Sequence, residues 1–407
     1  MGGGEHYVPK ATTKPVTYKV ISSDSHVVEP PDVWTTRANK QFRDRVIQIE
    51  SHPDGDWYYC DGNRILGLGL GGTQAGMRFD KEKKIDITIG KDLHFDDVRP
   101  GGYDPDERMK DLDLDGIDLD IVYPTVGLVA WRVCLDPFLL NETCRVYNDW
   151  VGEFCNAHPD RLKAIAMLGI DSIDEGVKEL KRVHKLGFVG AMIPSGAPMG
   201  RPYSLPEYEP LWDTAEALGM PIGLHTATAR QSYFEGITTT IGTYIKEGVV
   251  TPLTAAMGTQ GNNDFEIRRS LSEILMSGVC DRHPSIQIGS VEFNAAWAAY
   301  HMWNLDRIYK ESDRGLGGKT RFSNDMIPSD FFHRNVFYGY QEDSLAIELR
   351  HIIGVENLQW GSDYPHIEGT FPESRRILAE ILDGVPEEEQ MLITSGNVTR
   401  LYHLPTS

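Results

Sequence analysis

The chain has 407 residues, of which 40% are hydrophobic, and a formal charge of −20 from 60 acidic against 40 basic residues. This length and apolar content suffice for a large core, and α/β barrels of this size often form one domain. The strong negative charge argues against nucleic acids and anionic membranes as partners. Five scattered cysteines without a CxxC pair are typical of a reducing compartment, so we expect buried free thiols.

The sequence predicts neither a signal peptide nor a membrane span. Residues 1–16 are polar and lack the apolar segment of a signal peptide, which predicts a flexible arm. No run of about eighteen apolar residues occurs, so we expect no membrane span and a cytoplasmic protein. A homodimer is the default assembly, since dimers are the commonest soluble oligomers.

Short apolar runs alternate with amphipathic stretches over most of the chain. The predicted strands are 18–22, 117–123, 162–168, 188–193, 221–224, 286–291, 335–338 and 358–361. The predicted helices, with apolar residues at three- and four-residue steps, are 139–158, 173–186, 210–218, 265–280, 295–309, 343–353 and 373–382. Eight strands with intervening helices favour a (β/α)8 barrel over an open doubly wound sheet. Trp297, Tyr300 and Trp303 recur at three-residue steps, which predicts core packing.

Two regions interrupt this alternation within the single barrel domain predicted for 17–407. Residues 40–108 are rich in Gly and Asp and contain β-like pieces, which predicts a β-rich insertion, or cap, after the first strand. Residues 227–264 follow the fifth strand and are rich in Thr, Gly and Ala. Loops of this length in a compact domain are usually functional, so we expect a lid-like loop there.

Four residues of metal-ligand type stand at the ends of three predicted strands. Asp24 and His26 share one face of the first strand because alternate strand residues point the same way. His225 ends the fifth strand and Asp363 ends the last. Taken singly, such a histidine is more often a core residue, and such an aspartate a cap or turn residue. In a parallel barrel all strand ends face one mouth, so together they predict a site for a divalent ion.

Residues 23–30 (SDSHVVEP) and 360–366 (WGSDYPH) resemble the amidohydrolase superfamily. They are most similar to the amidohydrolase-related branch, which includes aminocarboxymuconate-semialdehyde decarboxylase. Weaker similarity extends over 18–401. The resemblance implies a (β/α)8 barrel with one divalent ion at its mouth. It places the first-strand ligand pair on Asp24 and His26, the fifth-strand histidine on His225 and the last-strand aspartate on Asp363.

The chain departs from the family pattern at three points. Asp24 stands where many members have histidine, which makes the ligand set richer in oxygen. Residues 188–195 contain no lysine, so the carboxylated lysine of two-metal members is absent and one metal is expected. Glu292 stands after the sixth strand, where decarboxylase-type members carry histidine. It is a candidate ligand, outer partner or proton acceptor, and equally an acidic residue at a helix start.

Zn²⁺ is the default ion for histidine and carboxylate ligands, with Mn²⁺ or Fe²⁺ as alternatives. In the predicted mechanism, Asp363 takes the proton of a metal-activated water, while His366 and Glu292 act beside the ion or on the substrate. His366 is equally well explained as a helix cap. Arg230 and Arg132 stand on predicted mouth-side loops and are candidates to bind a substrate carboxylate or phosphate, although a solvated arginine is the commoner case.

The leading interpretation is a metal-dependent hydrolase acting on an amide, ester, lactone or thioester of a bulky, partly apolar small molecule. The alternative is a non-oxidative decarboxylase of an aromatic or enoic acid, and the absent sixth-strand histidine counts against it. A third is a catalytically inactive barrel that serves as a binding protein. Carbon dioxide release, solvent oxygen in the product, and bound metal separate the three.

Overall fold

The structure is a computed structural model. It describes residues 16–53, 55–68, 75–79, 93–198, 200–229, 264–311, 322–323 and 325–405. Among these residues, no helix combines the length and the apolar character that crossing a membrane requires. All five cysteines are buried thiols outside any disulfide.

Eight parallel strands form a nearly closed barrel, in the order β1-β5-β6-β7-β8-β9-β10-β11. These strands are β1 (Ile21–His26), β5 (Leu119–Tyr123), β6 (Leu162–Met167), β7 (Gly190–Pro194), β8 (Ile222–His225), β9 (Ile288–Val291), β10 (Val336–Tyr340) and β11 (Leu358–Trp360). The (β/α)8 barrel predicted from the sequence is therefore confirmed, and each barrel strand overlaps its predicted range.

Helices occur in each of the seven predicted amphipathic stretches and also outside them. They are α1 (Val33–Arg37), α2 (Pro105–Asp115), α3 (Ala130–Val133), α4 (Pro137–Asn156), α5 (Ile173–Lys185), α6 (Glu209–Leu218), α7 (Asp264–Met276), α8 (Val279–Arg282), α9 (Trp297–Glu311), α10 (Pro328–Asn335), α11 (Ser344–Glu348), α12 (Arg350–Ile353), α13 (Ser374–Ile381), α14 (Glu387–Met391) and α15 (Asn397–Leu401). The stretches 265–280 and 343–353 each contain two helices rather than one. Helices α1, α2, α3, α10, α14 and α15 lie outside the predicted stretches.

Helix α2, which supports the site, shows how the sequence fixes its ends. The Asp104 carboxylate accepts hydrogen bonds from the amides of Asp106 and Glu107, and Pro105 opens the helix. Gly116 ends it with φ of 74°, a left-handed conformation that glycine adopts without a steric penalty.

Residues just after the last strand close the ring against the first strand. The amide of Asp363 donates to the carbonyl of Asp24 over 2.9 Å, and the amide of Ser362 donates to Ser22 Oγ over 2.9 Å. Strand β1 also carries one extra residue between Ser22 and Ser25 relative to β5. Such bulges re-aim side chains, and this one lies beside Asp24. The last and first strands therefore meet where their predicted ligands stand.

Glycines and aromatic rings fill the barrel interior in complementary positions. Gly289 pairs with Phe337 in the neighbouring strand, and a Cβ at Gly289 would lie 2.2 Å from Phe337 Cζ. In the same core, the hydroxyl oxygen of Tyr402 lies 3.4 Å from the hydroxyl oxygen of Tyr123. The barrel is thus a packed core with its open end at the strand C-termini.

The insertion between β1 and β5 contains a separate antiparallel sheet, as predicted. It consists of β2 (Gln48–His52), β3 (Gly55–Cys60) and β4 (Asn63–Gly67), in the order β2-β3-β4. The predicted arm 1–16 lies outside the described residues except for Val16. The predicted loop 227–264 lies outside them except for 227–229 and Asp264.

The prediction of core packing along α9 is wrong for two of its three aromatic residues. Tyr300 is 63% exposed and Trp303 is 59% exposed, although their rings contact one another. Trp297 packs partly buried against the core. Three-residue steps drift around a helix of 3.6 residues per turn, so they do not keep all three rings on the buried face.

A buried ion pair lies beneath the mouth. Arg108 and Asp120 are both fully buried, and Arg108 Nη2 lies 2.8 Å from Asp120 Oδ2. Arg108 also donates to the carbonyls of His26 and Gly101, over 2.9 and 3.2 Å, and to Ser25 Oγ. Its guanidinium lies over the ring of Tyr364. One side chain from α2 thus holds β1 and the segment after β11 together.

We expect Gly289→Ala to destabilise the protein by about 1–3 kcal/mol, because the added methyl group overlaps Phe337. Gly339→Ala is the matched control in the adjacent strand, where the nearest atom to a new Cβ lies at 3.6 Å. Urea denaturation measures both. Equal effects of the two substitutions would contradict this account of the interior.

We expect Arg108→Met to reduce the free energy of unfolding by about 3–5 kcal/mol, because it leaves the Asp120 charge buried and uncompensated. Lys110→Met on the same helix breaks an exposed pair with Glu107 and should cost no more than about 1 kcal/mol. Chemical denaturation of both variants tests this, and similar losses would show that burial of the Arg108 pair is unimportant.

Candidate metal centre

Four side chains from three barrel strands converge at the mouth. Asp24, His26, His225 and Glu292 each offer one ligand atom within 4.8 Å of the others. Nε2 of His26 lies 3.3 Å from Asp24 Oδ1, and Nε2 of His225 lies 3.5 Å from the same oxygen. Glu292 Oε2 lies 3.3 Å from His225 Nε2 and 3.8 Å from His26 Nε2.

A second, overlapping group contains His26, Glu292, Asp363 and His366. Asp363 Oδ1 lies 3.3 Å from His26 Nε2 and accepts a hydrogen bond from His366 Nδ1 over 2.8 Å. The structure thus brings all the sequence-predicted ligands and catalytic residues together, with Asp363 joining the cluster through His26 and Glu292. Glu292 is the most exposed of the three clustered carboxylates, at 15%, whereas Asp24 is 2% exposed and Asp363 is fully buried.

The two ligand histidines are oriented by main-chain carbonyls. His26 Nδ1 lies 2.7 Å from the carbonyl oxygen of Pro124, and His225 Nδ1 lies 3.0 Å from that of Thr226. A carbonyl can only accept, so Nδ1 carries the proton in both rings. The lone pair of each Nε2 then points into the cluster, which is the arrangement of metal-binding histidines.

The donor atoms that meet here have no hydrogen-bond partner. Asp24 Oδ1, His26 Nε2, His225 Nε2, Glu292 Oε2 and Asp363 Oδ2 are all buried and unpaired. Buried polar atoms are seldom left unsatisfied, because each costs about 1–3 kcal/mol. A cation bound between them would satisfy all five. The residues present therefore fit a divalent metal ion.

The charges of the cluster also require a cation. Burial, together with the negative charges of Asp363 and Asp24, raises the pKa of Glu292 well above its ordinary value. Burial opposes ionisation of Asp24 as well, and positive charge on the neighbouring His225 and His26 is what lowers its pKa, a role that a cation fills when both rings are neutral. Three acidic side chains in one desolvated space repel each other unless positive charge lies between them.

Backbone strain accompanies the ligands that follow β9 and β11. Glu292 and Asp363 have φ of 61° and 54°, a region that side chains other than glycine rarely adopt. The loop after Glu292 is held by Asp343, whose Oδ2 accepts from the amides of Ala295 and Ala296 over 2.8 and 2.9 Å. Such conformations cost about 1–3 kcal/mol each and persist where surrounding contacts enforce them, often at functional sites.

The imidazole of His366 is held on both sides. Its Nε2 lies 3.0 Å from Thr125 Oγ1, and Nδ1 donates to Asp363. The ring stacks on that of His26 with centroids 4.1 Å apart. His366 is 12% exposed, whereas Asp363 is fully buried. His366 can therefore pass protons between the mouth and the buried Asp363 carboxylate.

The roles of the two predicted substrate arginines stay predictions. Arg230 lies outside the described residues. Arg132 is exposed in α3, after β5, and its role in substrate binding stays a prediction. Sequence reasoning missed Thr125, Arg108 and Asp343, because nothing in their local sequence marks them as partners of distant strand ends.

Curated relatives and solved structures place these observations among known enzymes. The gamma-resorcylate decarboxylase of Rhodococcus jostii is 25% identical over 321 residues, 74% of this chain and 87% of the relative. An amidohydrolase from Mycobacterium avium subsp. paratuberculosis superposes with a TM-score of 0.77 at 20% identity, covering 96% of this chain and 99% of that one. A dihydroxybenzoic acid decarboxylase from Polaromonas, crystallised with manganese and 2-nitroresorcinol, gives 0.63 at 18% identity and covers 96% and 98%.

These relatives overturn the hydrolase interpretation. The prediction of a metal-dependent hydrolase of an amide, ester, lactone or thioester is wrong, since the matching relatives are named decarboxylases. From the sequence alone, the absence of the sixth-strand histidine of decarboxylase-type members counted against a decarboxylase. Glu292 stands at that position and adds its carboxylate to the ligand cluster, so the substitution alters the donor set without removing the centre.

A family model described as Amidohydrolase matches residues 92–404, which is more than half of the chain. This match agrees with the barrel and with the ligand residues at its mouth. The chain belongs to the amidohydrolase family.

Proposed function

We propose that this chain catalyses the non-oxidative, metal-dependent decarboxylation of an aromatic carboxylic acid. The observation that carries the proposal is the convergence of five unpartnered donor atoms at the mouth of the barrel. The named activity of the relatives, aromatic acid decarboxylation, supports the choice of reaction.

Asp24, His26, His225 and Asp363 would hold the ion, as predicted, with Glu292 as a further ligand. When bound, a divalent ion supplies positive charge that binds the substrate carboxylate and stabilises negative charge developing during the reaction. Three carboxylates and two imidazoles favour Mn²⁺ over Zn²⁺, since zinc sites in proteins usually take four ligands and oxygen donors suit manganese. The manganese in the Polaromonas enzyme supports this choice.

Decarboxylation replaces the carboxylate on one ring carbon by a proton. The bond between the ring carbon and the carboxylate breaks, CO₂ leaves, and the bonding electron pair stays on the ring carbon, which takes the proton. We propose that Asp363 delivers this proton and that His366 replaces it from the mouth. The hydrogen bond from His366 Nδ1 to Asp363 Oδ1 supports that route.

The chemistry favours a ring that carries a hydroxyl group beside the carboxylate. Such a hydroxyl releases electrons into the ring and makes the carbon that bears the carboxylate easier to protonate. We therefore propose a hydroxybenzoate-type substrate. We also propose that Arg132 and Arg230, on predicted mouth-side loops, bind an anionic group of the substrate. A homodimer is proposed as the assembly.

The test measures CO₂ release from a panel of hydroxybenzoates by protein loaded with Mn²⁺. In D₂O we expect one deuterium at the ring carbon that lost the carboxylate. Asp363→Asn should reduce turnover by at least about 100-fold, since it removes both a ligand and the proton donor. Protein stripped by a chelator is the control. Solvent oxygen in the product without CO₂ would contradict the proposal.

We expect Glu292→Gln to weaken Mn²⁺ binding by at least about 10-fold, because it removes a charged oxygen donor. Glu348→Gln is the matched control: it removes the same charge from an exposed residue of α11 that belongs to neither ligand group. Titration of metal-free protein, followed by the electron paramagnetic resonance of free Mn²⁺, measures both. Wild-type affinity in Glu292→Gln would exclude Glu292 as a ligand.

A further inference from the structure

Glu29 is a buried carboxylate that faces main-chain amides. Its exposure is 0%, and its two oxygens accept hydrogen bonds from the amides of Val126 and Gly127, each over 2.9 Å. No arginine or lysine is among its contacts in the described part of the chain. Each oxygen of Glu29 accepts from one main-chain amide, so the two hydrogen bonds together fix the position of those amides relative to the carboxylate.

The segment that Glu29 holds contacts two histidines of the metal centre. Pro124, two residues before Val126, provides the carbonyl that accepts from His26 Nδ1 at 2.7 Å. Thr125 lies between them, and its Oγ1 is 3.0 Å from His366 Nε2. Residues 124–127, in which Val126 and Gly127 begin a short 3₁₀ helix (Val126–Val129), form the turn after β5, and its position sets the direction of both rings.

The turn has little space to adopt another position. A Cβ at Gly127 would lie 2.7 Å from Met167 Sδ and 3.1 Å from Glu29 Oε1. The amide of Val27 also donates to the carbonyl of Tyr123 over 3.0 Å, which ties the strand ends together just before the turn. Glu29 thus acts against a closely packed wall rather than on a free loop.

We infer that Glu29 is a positioning residue of the metal centre: it fixes the 124–127 turn, and through the Pro124 carbonyl it holds His26 with Nε2 directed at the ion. The same turn orients His366 through Thr125. This inference rests on the proposed metal site. It assigns a function to the glutamate that follows the first-strand ligand pair by three residues, without making it a ligand.

The test is Mn²⁺ affinity of Glu29→Gln. The side-chain NH₂ group of glutamine cannot accept a hydrogen bond, so the amide of either Val126 or Gly127 loses its acceptor. The size of the side chain stays nearly the same. We expect Mn²⁺ to bind about 10–100-fold more weakly, the usual effect of losing an outer partner of a metal ligand. If Glu29→Gln does not fold, Glu29→Asp, which keeps the charge and shortens the reach, is measured for the same weakening.

Two comparisons separate positioning from stability. Glu216→Gln disrupts another carboxylate that accepts from a main-chain amide, that of Ser285, at the opposite end of the barrel. It should leave Mn²⁺ affinity unchanged even where it lowers the melting temperature. Thr125→Val removes the contact with His366 but keeps the Pro124 carbonyl, so it should weaken Mn²⁺ binding less than Glu29→Gln does.

The outcomes are distinct. Wild-type affinity in a folded Glu29 variant overturns the inference, as does a Thr125→Val protein that binds as weakly as Glu29→Gln. A wild-type protein that binds no Mn²⁺ at all would instead overturn the proposed metal site. Mn²⁺ binding that is weaker in Glu29→Gln than in Thr125→Val, and unchanged in Glu216→Gln, supports the assignment of Glu29 as a positioning residue.

Discussion

Mutual repulsion among Asp24, Glu292 and Asp363 is the constraint around which the mouth of this barrel is organised. Their carboxylates share a desolvated space with two imidazoles, and the atoms that meet there are unpaired. Such a cluster is unfavourable by itself and becomes favourable when a cation binds between its members. Contacts around the cluster hold the donor atoms in place. Without those contacts the three carboxylates would move apart.

The supporting contacts come from elements that are distant in sequence. Arg108 on α2 ties β1 to the segment after β11, Glu29 fixes the turn after β5, and Asp343 fixes the loop after β9. Each is a charged side chain that mostly satisfies main-chain groups near a ligand rather than the ligand itself. Positioning through the backbone restricts several side chains at once, which a direct contact to one ring cannot do.

Glu292 stands where the family resemblance implies a histidine in decarboxylase-type members, and its carboxylate lies within the ligand cluster. A neutral imidazole is exchanged for a carboxylate, which adds negative charge and an oxygen donor. From the sequence alone, the absence of that histidine counts against a decarboxylase. The relatives and the ligand geometry instead favour a decarboxylase whose metal is held by an oxygen-rich set. Manganese and proton delivery through Asp363 and His366 are consistent with such a set.

The sequence by itself determined the barrel and the meeting of its candidate ligands, since strand periodicity and the residues at strand ends are local features and all parallel strands end at one mouth. Asp24, His26, His225 and Asp363 could be identified for that reason. Only the tertiary structure decided that Glu292 joins the ligand cluster, that Glu29 and Thr125 serve the histidines, and that Tyr300 and Trp303 are exposed. Those properties depend on which distant segments pack together, and pairwise contacts across hundreds of residues leave no periodic signal in the chain.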